Sequence, residues 1–309
     1  MNAKAAVTTR TRRDTAAEST GAHAKGLTPA RVILHAFLIT TCVVWLFPVL
    51  WAVYTSLRPY ADTAQRGYVS FPGTLNFDNY IHAWRQANLP HYYLNTGIIV
   101  VPAVLATLLL SSFVAFAVSR FSFRFNRALL MLFVAGNLLP QQVVITPLYR
   151  LYLLLPLPEW LSDTGLFFDS YFGIIAIHVA FQIGFCTFVL ANYMKTIPGE
   201  LSEAALLDGA SVWKTYWGVI LPLCRPALAA LATLEVTFIY NDFFWARVLM
   251  QTGAKRPITS ALSDLAGVFF TDNNLIAAGA IMVALPTLIV YIALQRHFVS
   301  GLALGATKG

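Results

Sequence analysis

Charged residues are scarce in this chain of 309 residues: Asp, Glu, Lys and Arg make up 11%, against 58% hydrophobic residues and a mean hydropathy of +0.65. A water-soluble domain carries about 25% charged residues, so a freely soluble globular protein is excluded. Cysteine is rarer still. Cys42, Cys186 and Cys224 form no CxxC pair and sit in or beside apolar runs, which leaves no disulfide framework and makes small apolar fillers the plain reading. Also missing are a Gly-rich phosphate loop ending in Lys-Ser or Lys-Thr, an HExxH pair, a GxSxG elbow and any clustering of His, Cys and carboxylates at ligand spacing. The chain therefore encodes no nucleotide hydrolysis, metallopeptidase or serine-hydrolase chemistry of its own, and binds no metal or cofactor.

What the sequence has instead is long apolar runs. About 20 apolar residues cross a bilayer as a helix, and six runs qualify: Ile33–Tyr54, Thr96–Val118, Ala128–Tyr149, Tyr171–Met194, Leu223–Trp245 and Leu275–Gln295. Only the fifth holds acidic residues, Glu235 and Asp242. The predicted fold is thus an all-α membrane protein of six transmembrane helices. It divides into a disordered cytoplasmic tail over 1–29 that is poor in large apolar residues, a first helix over 30–57, an outer loop over 58–95, a membrane core over 96–300 and a C-terminal cytoplasmic tail over 301–309. An even number of spans puts both termini on one side, and the inner side is the more basic one. Placing the termini, the 119–127 loop and the 195–225 segment inside gathers 14 of the 21 basic residues there. The net charge of +7 thus reports orientation and gives no reason to expect nucleic-acid binding.

The stretch Thr196–Pro222 reads as two short helices joined at a glycine, far more than a turn between two spans needs. Pro198 suits a first helical position, Glu200 complements the first-turn amides, and Gly209 ends the helix after Asp208. Ser211 then caps a second helix that Pro222 closes. Trp213, Tyr216 and Trp217 lead into the bilayer as an interfacial anchor. With Glu203-Ala204-Ala205, Gly209 and Ile220-Leu221-Pro222, the segment resembles the EAA loop of permease subunits of binding-protein-dependent ABC importers. From Phe47 onward further motifs resemble carbohydrate permeases related to the smaller maltose-permease subunit. They are Leu75-Asn76-Phe77-Asp78-Asn79-Tyr80, Ala115-Phe116-Ala117-Val118-Ser119-Arg120-Phe121, Leu139-Pro140 with Thr146-Pro147, and Gln295-Arg296-His297-Phe298. Tyr240 stands where that family more usually has Trp, and Leu151–Ser170 exceeds its ordinary outer loop. This extra length reads either as an interfacial helix near Trp160 or as a turn with membrane anchors.

The resemblance implies a type I importer permease in a bacterial plasma (inner) membrane. Such a chain pairs with a second permease subunit, as a heterodimer, and docks two ABC ATPase subunits that use ATP and Mg2+. It takes sugar from an extracytoplasmic solute-binding protein. On this view Glu203, Ala204, Ala205, Asp208 and Gly209 couple to the ATPase.

A solute path needs polar groups at bilayer depth. His178, Gln182 and Phe185 recur at helical spacing with Phe181 beside them, an imidazole, an amide and aromatic faces suited to sugar hydroxyls and C–H faces, although a polar helix seam has the same pattern. Asn137 and Gln141 flank Pro140 where a broken span would free carbonyls, as a path or as a satisfied kink. Asn241 and Asp242 lie roughly 30 Å of helix beyond Leu221, at the outer gate. Glu235 lies deeper, to be protonated, paired with the companion subunit or facing water. A permease for another small polar solute is the alternative. An ATP-independent carrier would need inverted repeats, and an intramembrane enzyme using His178 as base would need a nucleophile.

Overall fold

The computed structural model describes residues 29–262 and 271–306, with the backbone alone for 261, 294 and 296–306. The expected tail over 1–29 falls outside the described residues except for Pro29. Two units are distinguished, 1–51 and 52–309, and helix α1 (Pro29–Ser56) begins in the first and ends in the second. The remaining helices are α2 (Tyr60–Arg66), α3 (Asp78–Gln86), α4 (Leu89–Arg120), α5 (Asn126–Asn137), α6 (Ile145–Leu154), α7 (Tyr171–Thr196), α8 (Glu200–Leu207), α9 (Val212–Thr215), α10 (Leu221–Leu223), α11 (Arg225–Tyr240), α12 (Phe244–Leu249), α13 (Ile258–Ala261) and α14 (Asn273–Ala306). The described residues are mostly helical, with no strand among them beyond one isolated β-bridge.

Four helices, α1, α4, α7 and α14, are long and apolar enough to span as single rods. The third predicted run is not one rod: α5 and the segment Gln141–Leu154 meet at 91° around Pro140, where the ring removes an N–H and Leu138–Pro140 leaves the helix. The fifth run starts at a 72° bend and stops at Tyr240, five residues short of Trp245, because Asn241–Phe243 interrupt it before α12. The bend also corrects the expectation for Pro222. A π turn over Tyr216–Ile220, in which Leu221 N–H donates to Tyr216 O, carries the chain through that proline, and the break falls at Cys224 with Pro226 opening α11. At the other end α14 continues to Ala306, so residues 301–306, expected in the tail, extend the last helix, and 307–309 lie outside the described residues.

Helices α4 and α7 run side by side in the same direction. Tyr171 Oη donates to Asn95 Oδ1 at 2.8 Å near their first turns, and Arg120 Nη1 donates to Ile197 O at 3.2 Å near their ends. Helix α11 returns against both. One apolar cluster fills the half of this bundle nearer Asn95 and Tyr171 (Ile99, Ala103, Ile177, Ile239, Trp245), and a second the half nearer Arg120 and Ile197 (Phe116, Leu190, Met194, Tyr216, Leu231). Tyr216 is therefore core and not part of an interfacial anchor, its hydroxyl 2.6 Å from Ser112 Oγ, while Trp213 and Trp217 remain exposed. Residues 155–170 form no helix. Leu157 N–H donates to Gly165 O and Pro156 bridges Leu166, so the segment is a tied turn that leaves Trp160 81% exposed. Asp169 fixes it by accepting from Gln251 N, Thr252 N and Thr252 Oγ1 at 2.9, 3.0 and 2.6 Å.

A buried polar network ties the end of α1, α2 and α3 to the start of α14. Arg58, 1% exposed, donates to Asp62 Oδ2, Gly67 O, Tyr68 O and Ser70 Oγ. Asn79 Nδ2 donates to Ser56 O and Arg58 O, and Asn274 Nδ2 donates to Thr55 O, Arg58 O and Thr63 Oγ1. The hydrogen bond from Arg58 above all, aided by Gly73 N–H and the charges of Arg58 and Arg66, holds the Asp62 carboxyl below the usual carboxylate range. A carboxyl whose folded pKa lies below its unfolded value of about 3.9 adds stability above that value and loses it as pH falls through the folded one. The network is thus expected to hold from neutrality down to the ordinary carboxylate range and to open only in stronger acid. Hydrogen exchange of residues 58–73 against pH is the check, and opening already above that range would contradict it.

Candidate coupling segment and translocation cavity

Beyond α7 the chain turns extended at Ile197, and α8 begins at Glu200, two residues later than Pro198 suggested, with Gly199 at its N-cap. Gly199 has no side chain to accept a first-turn N–H, so the acidic Glu200 and Glu203 of that turn supply the compensating charge. The helix ends in a Schellman arrangement: Ala210 N–H donates to Ala205 O at 2.9 Å and Gly209 N–H to Leu206 O at 3.0 Å, with Gly209 at φ +79. Ser211 caps the next helix by accepting from Lys214 N at 3.3 Å. Glu203, Ala204, Asp208 and Gly209 are exposed while Ala205 is half-buried. Leu207, 89% exposed, and Leu206 add an apolar tip to this otherwise polar knuckle. The tip was not anticipated, although its two leucines flanking the helix end were visible in the sequence.

The two polar patches predicted in separate spans meet. Asn137, Gln141, Phe181, Gln182 and Phe185, with Leu139 and Phe238, line one cavity of about 300 Å³ between the kink after α5, α7 and α11. The 91° bend turns Gln141 toward α7, and Asn137 Nδ2 reaches Phe181 O at 3.1 Å. Close approach is permitted by Gly184, where a Cβ would lie 2.4 Å from Phe133 O. Phe238 was missed because nothing in its local sequence sets it apart from the apolar residues around it on α11.

Three predicted path residues are placed elsewhere. His178, 6% exposed, has Nε2 3.6 Å from Asp242 Oδ2. Asp242 in turn accepts from Trp245 N and Ala246 N, both at 3.2 Å, so it fixes the start of α12. Its backbone carbonyl accepts from Thr259 Oγ1. Asn241 is exposed and donates to Thr237 O on its own helix. Glu235 faces neither water nor another subunit: it is fully buried within the chain, where the Cys186 thiol donates to Oε1 at 3.1 Å. Cys186 is thus a polar partner across the α7/α11 seam and more than an apolar filler. Among the described residues no cluster of three or more His, Cys, Asp or Glu is arranged to hold a metal ion.

Comparison with known proteins agrees with this geometry. The family model described as "Binding-protein-dependent transport system inner membrane component" matches residues 107–303. A probable ABC transporter permease protein of Pyrococcus horikoshii is 30% identical over 262 residues, 84% of this chain and 91% of that protein. The diacetylchitobiose uptake system permease protein NgcG of Streptomyces coelicolor is 30% identical over 278 residues, covering 89% and 88%. The melibiose/raffinose/stachyose import permease protein MelC of Bacillus subtilis is 29% identical over 280 residues, covering 90% and 97%. In three dimensions the fold matches a chain of a bacterial ABC transporter involved in the import of the acidic polysaccharide alginate, with a TM-score of 0.72 at 23% identity over 86% of this chain and 95% of that one. A glycine-locked knuckle at one end of the bundle, a polar-aromatic cavity at a broken span and this agreement over most of the length lead to one assignment: the chain belongs to the binding-protein-dependent transport system inner membrane components, the multi-pass permease subunits of ABC importers.

Proposed function

We propose that this chain forms half of the translocation path of a sugar importer. It pairs with a second, related permease subunit and receives force at residues 196–222 from two ABC ATPase subunits, which hydrolyse ATP with Mg2+, while an extracytoplasmic solute-binding protein delivers the cargo. Both termini and the knuckle then face the cytosol, in keeping with the basic residues gathered on that side. Approach of the two ATPases presses the knuckles together and turns the cavity outward, and their separation returns it inward.

The observation that carries the sugar reading is the lining of the cavity. Gln182, Asn137 and Gln141 offer amide donors and acceptors, Phe181, Phe185 and Phe238 offer ring faces, and no ionised side chain is present. Amides bond hydroxyls and rings stack on the C–H face of a pyranose, so a neutral sugar suits this lining better than an anion. The names of two relatives, which specify diacetylchitobiose and melibiose, support the same class.

The test uses the complete importer in proteoliposomes with radiolabelled melibiose and N,N′-diacetylchitobiose. Gln182→Leu removes about one hydrogen bond, near 1.4 kcal/mol, so uptake of the transported sugar is expected to need about tenfold more solute for the same rate while ATP hydrolysis stimulated by the binding protein persists. Uptake of glycerol phosphate with neither sugar carried would assign the path to another solute. Uptake without any ATPase subunit would make the chain a carrier.

A further inference from the structure

At the root of the knuckle lies a second cavity, about 310 Å³, between the end of α4 and the segment that carries α8 and α9. Its polar lining is Ser119, Arg120, Ser202, Glu203 and Thr215, and its apolar wall includes Phe116, Phe121, Leu206 and Val212. Arg120 closes α4 and is held in place by one bond, Nη1 to Ile197 O at 3.2 Å. Its Nε and Nη2 are buried and have no hydrogen-bond partner among the described residues, and Ser202 Oγ, on the lining of the same cavity, is buried and unpartnered as well. Glu203 stands on the rim, exposed.

A buried guanidinium whose donors are unmet is costly, and the cost disappears when an acceptor carrying negative charge fills the space. Arginine's fork matches tetrahedral oxyanions, taking two oxygens at once, and serine and threonine hydroxyls complete such a shell. Arg124, Arg127, Lys195 and Lys214 lie exposed on the same end of the bundle and raise the local concentration of anions. The apolar wall beside the guanidinium has room for the glycerol and first methylenes of a lipid whose phosphate sits on Arg120, an arrangement suited to basic pockets at the inner membrane face.

We propose that this cavity is a phosphate-anion site anchored by Arg120 and completed by Ser202, filled by an anionic phospholipid headgroup or by free phosphate, and that its occupant braces the root of the coupling knuckle. The inference rests on the coupling assignment only for its consequence. Occupancy itself can be read without transport.

The complete importer is reconstituted in nanodiscs of phosphatidylcholine alone or mixed with phosphatidylglycerol, and the phospholipid that stays bound after extraction is counted by native mass spectrometry. The wild type is expected to retain phosphatidylglycerol in preference to phosphatidylcholine, and Arg120→Gln to retain at least fivefold less. Ser202→Ala, which breaks no internal hydrogen bond, is expected to retain less at full yield and keeps the test valid should Arg120→Gln assemble poorly. Inorganic phosphate added to phosphatidylcholine discs separates the two sources: binding that Arg120→Gln abolishes, with no lipid preference, assigns the occupant as free phosphate. Equal retention of both lipids by wild type and variants with no phosphate binding overturns the site. Wild-type coupling that is identical in both lipids and insensitive to added phosphate, while Arg120→Gln lowers it, overturns the bracing role, since Arg120 then acts on the knuckle without an occupant. A failed sugar uptake assay with lipid retention intact would strike the transport reading alone.

Discussion

Gly209→Val is expected to abolish ATP-dependent uptake, by at least tenfold, in a chain that still inserts at its normal level. The argument is conformational. Gly209 sits at φ +79, and a residue with a Cβ loses about 1–2 kcal/mol there, more when β-branched. A Cβ at this position would meet nothing within 4 Å, so no clash spreads into the bundle and the damage stays local. What is lost is the pair of bonds from Ala210 to Ala205 and from Gly209 to Leu206 that terminate α8. An isolated eight-residue helix is marginal in water, so without its end bonds the knuckle frays and no longer transmits a push. Gly209→Asn, which tolerates the left-handed region, is expected to retain most uptake. Parallel uptake and co-purification of the ATPase decide the matter: a valine variant transporting at the wild-type rate would remove the mechanical role assigned to this corner.

The second large effect is expected at Gly184, where α7 touches α5. A Cβ there lies 2.4 Å from Phe133 O and 3.0 Å from Phe133 C, both backbone atoms of a helix that has no side-chain rotation to offer. Helix α5 must retreat by roughly 1 Å, an overpacking cost of about 1–3 kcal/mol for Ala and more for Leu. The retreat stretches the 3.1 Å contact from Asn137 to Phe181 and reshapes the cavity lined by both. Gly184→Leu is therefore expected to lower the melting temperature by several degrees and to reduce sugar uptake more than it reduces stimulated ATP hydrolysis. A variant with unchanged melting and unchanged uptake would show that the two helices do not meet here.

The knuckle was legible because its chemistry is local. Glu200, Gly209 and Ser211 act on backbone groups within five residues of themselves, so their types and spacing suffice. The apolar runs were legible for a similar reason, as hydropathy is additive along the chain. Where helices break was less so: Pro222 and Pro140 look alike in sequence, yet one follows a widened turn and stays helical whereas the other bends the chain by 91°. The cavity was half legible. Helical spacing joined Phe181, Gln182 and Phe185, but only the bend brings Asn137 and Gln141 to them. His178 shares that spacing and is drawn away by Asp242, 64 positions on, a pairing that periodicity does not encode. The Arg58–Asp62–Asn79–Asn274 network was not legible at all, since Asn274 and Thr55 are 219 positions apart and neither looks unusual alone.

That network has a mechanical corollary. Residues from the end of α1, from α2 and α3, and from the start of α14 share one set of buried donors and acceptors, so they move as a single slab or not at all. A rearrangement of the bundle must then find its give elsewhere, and the two abrupt changes of direction among the described spans are the 91° bend at Pro140 and the 72° bend at Cys224. On the proposed reading the subunit turns on these two elbows in place of sliding as a bundle of rods, with the buried network as its fixed frame.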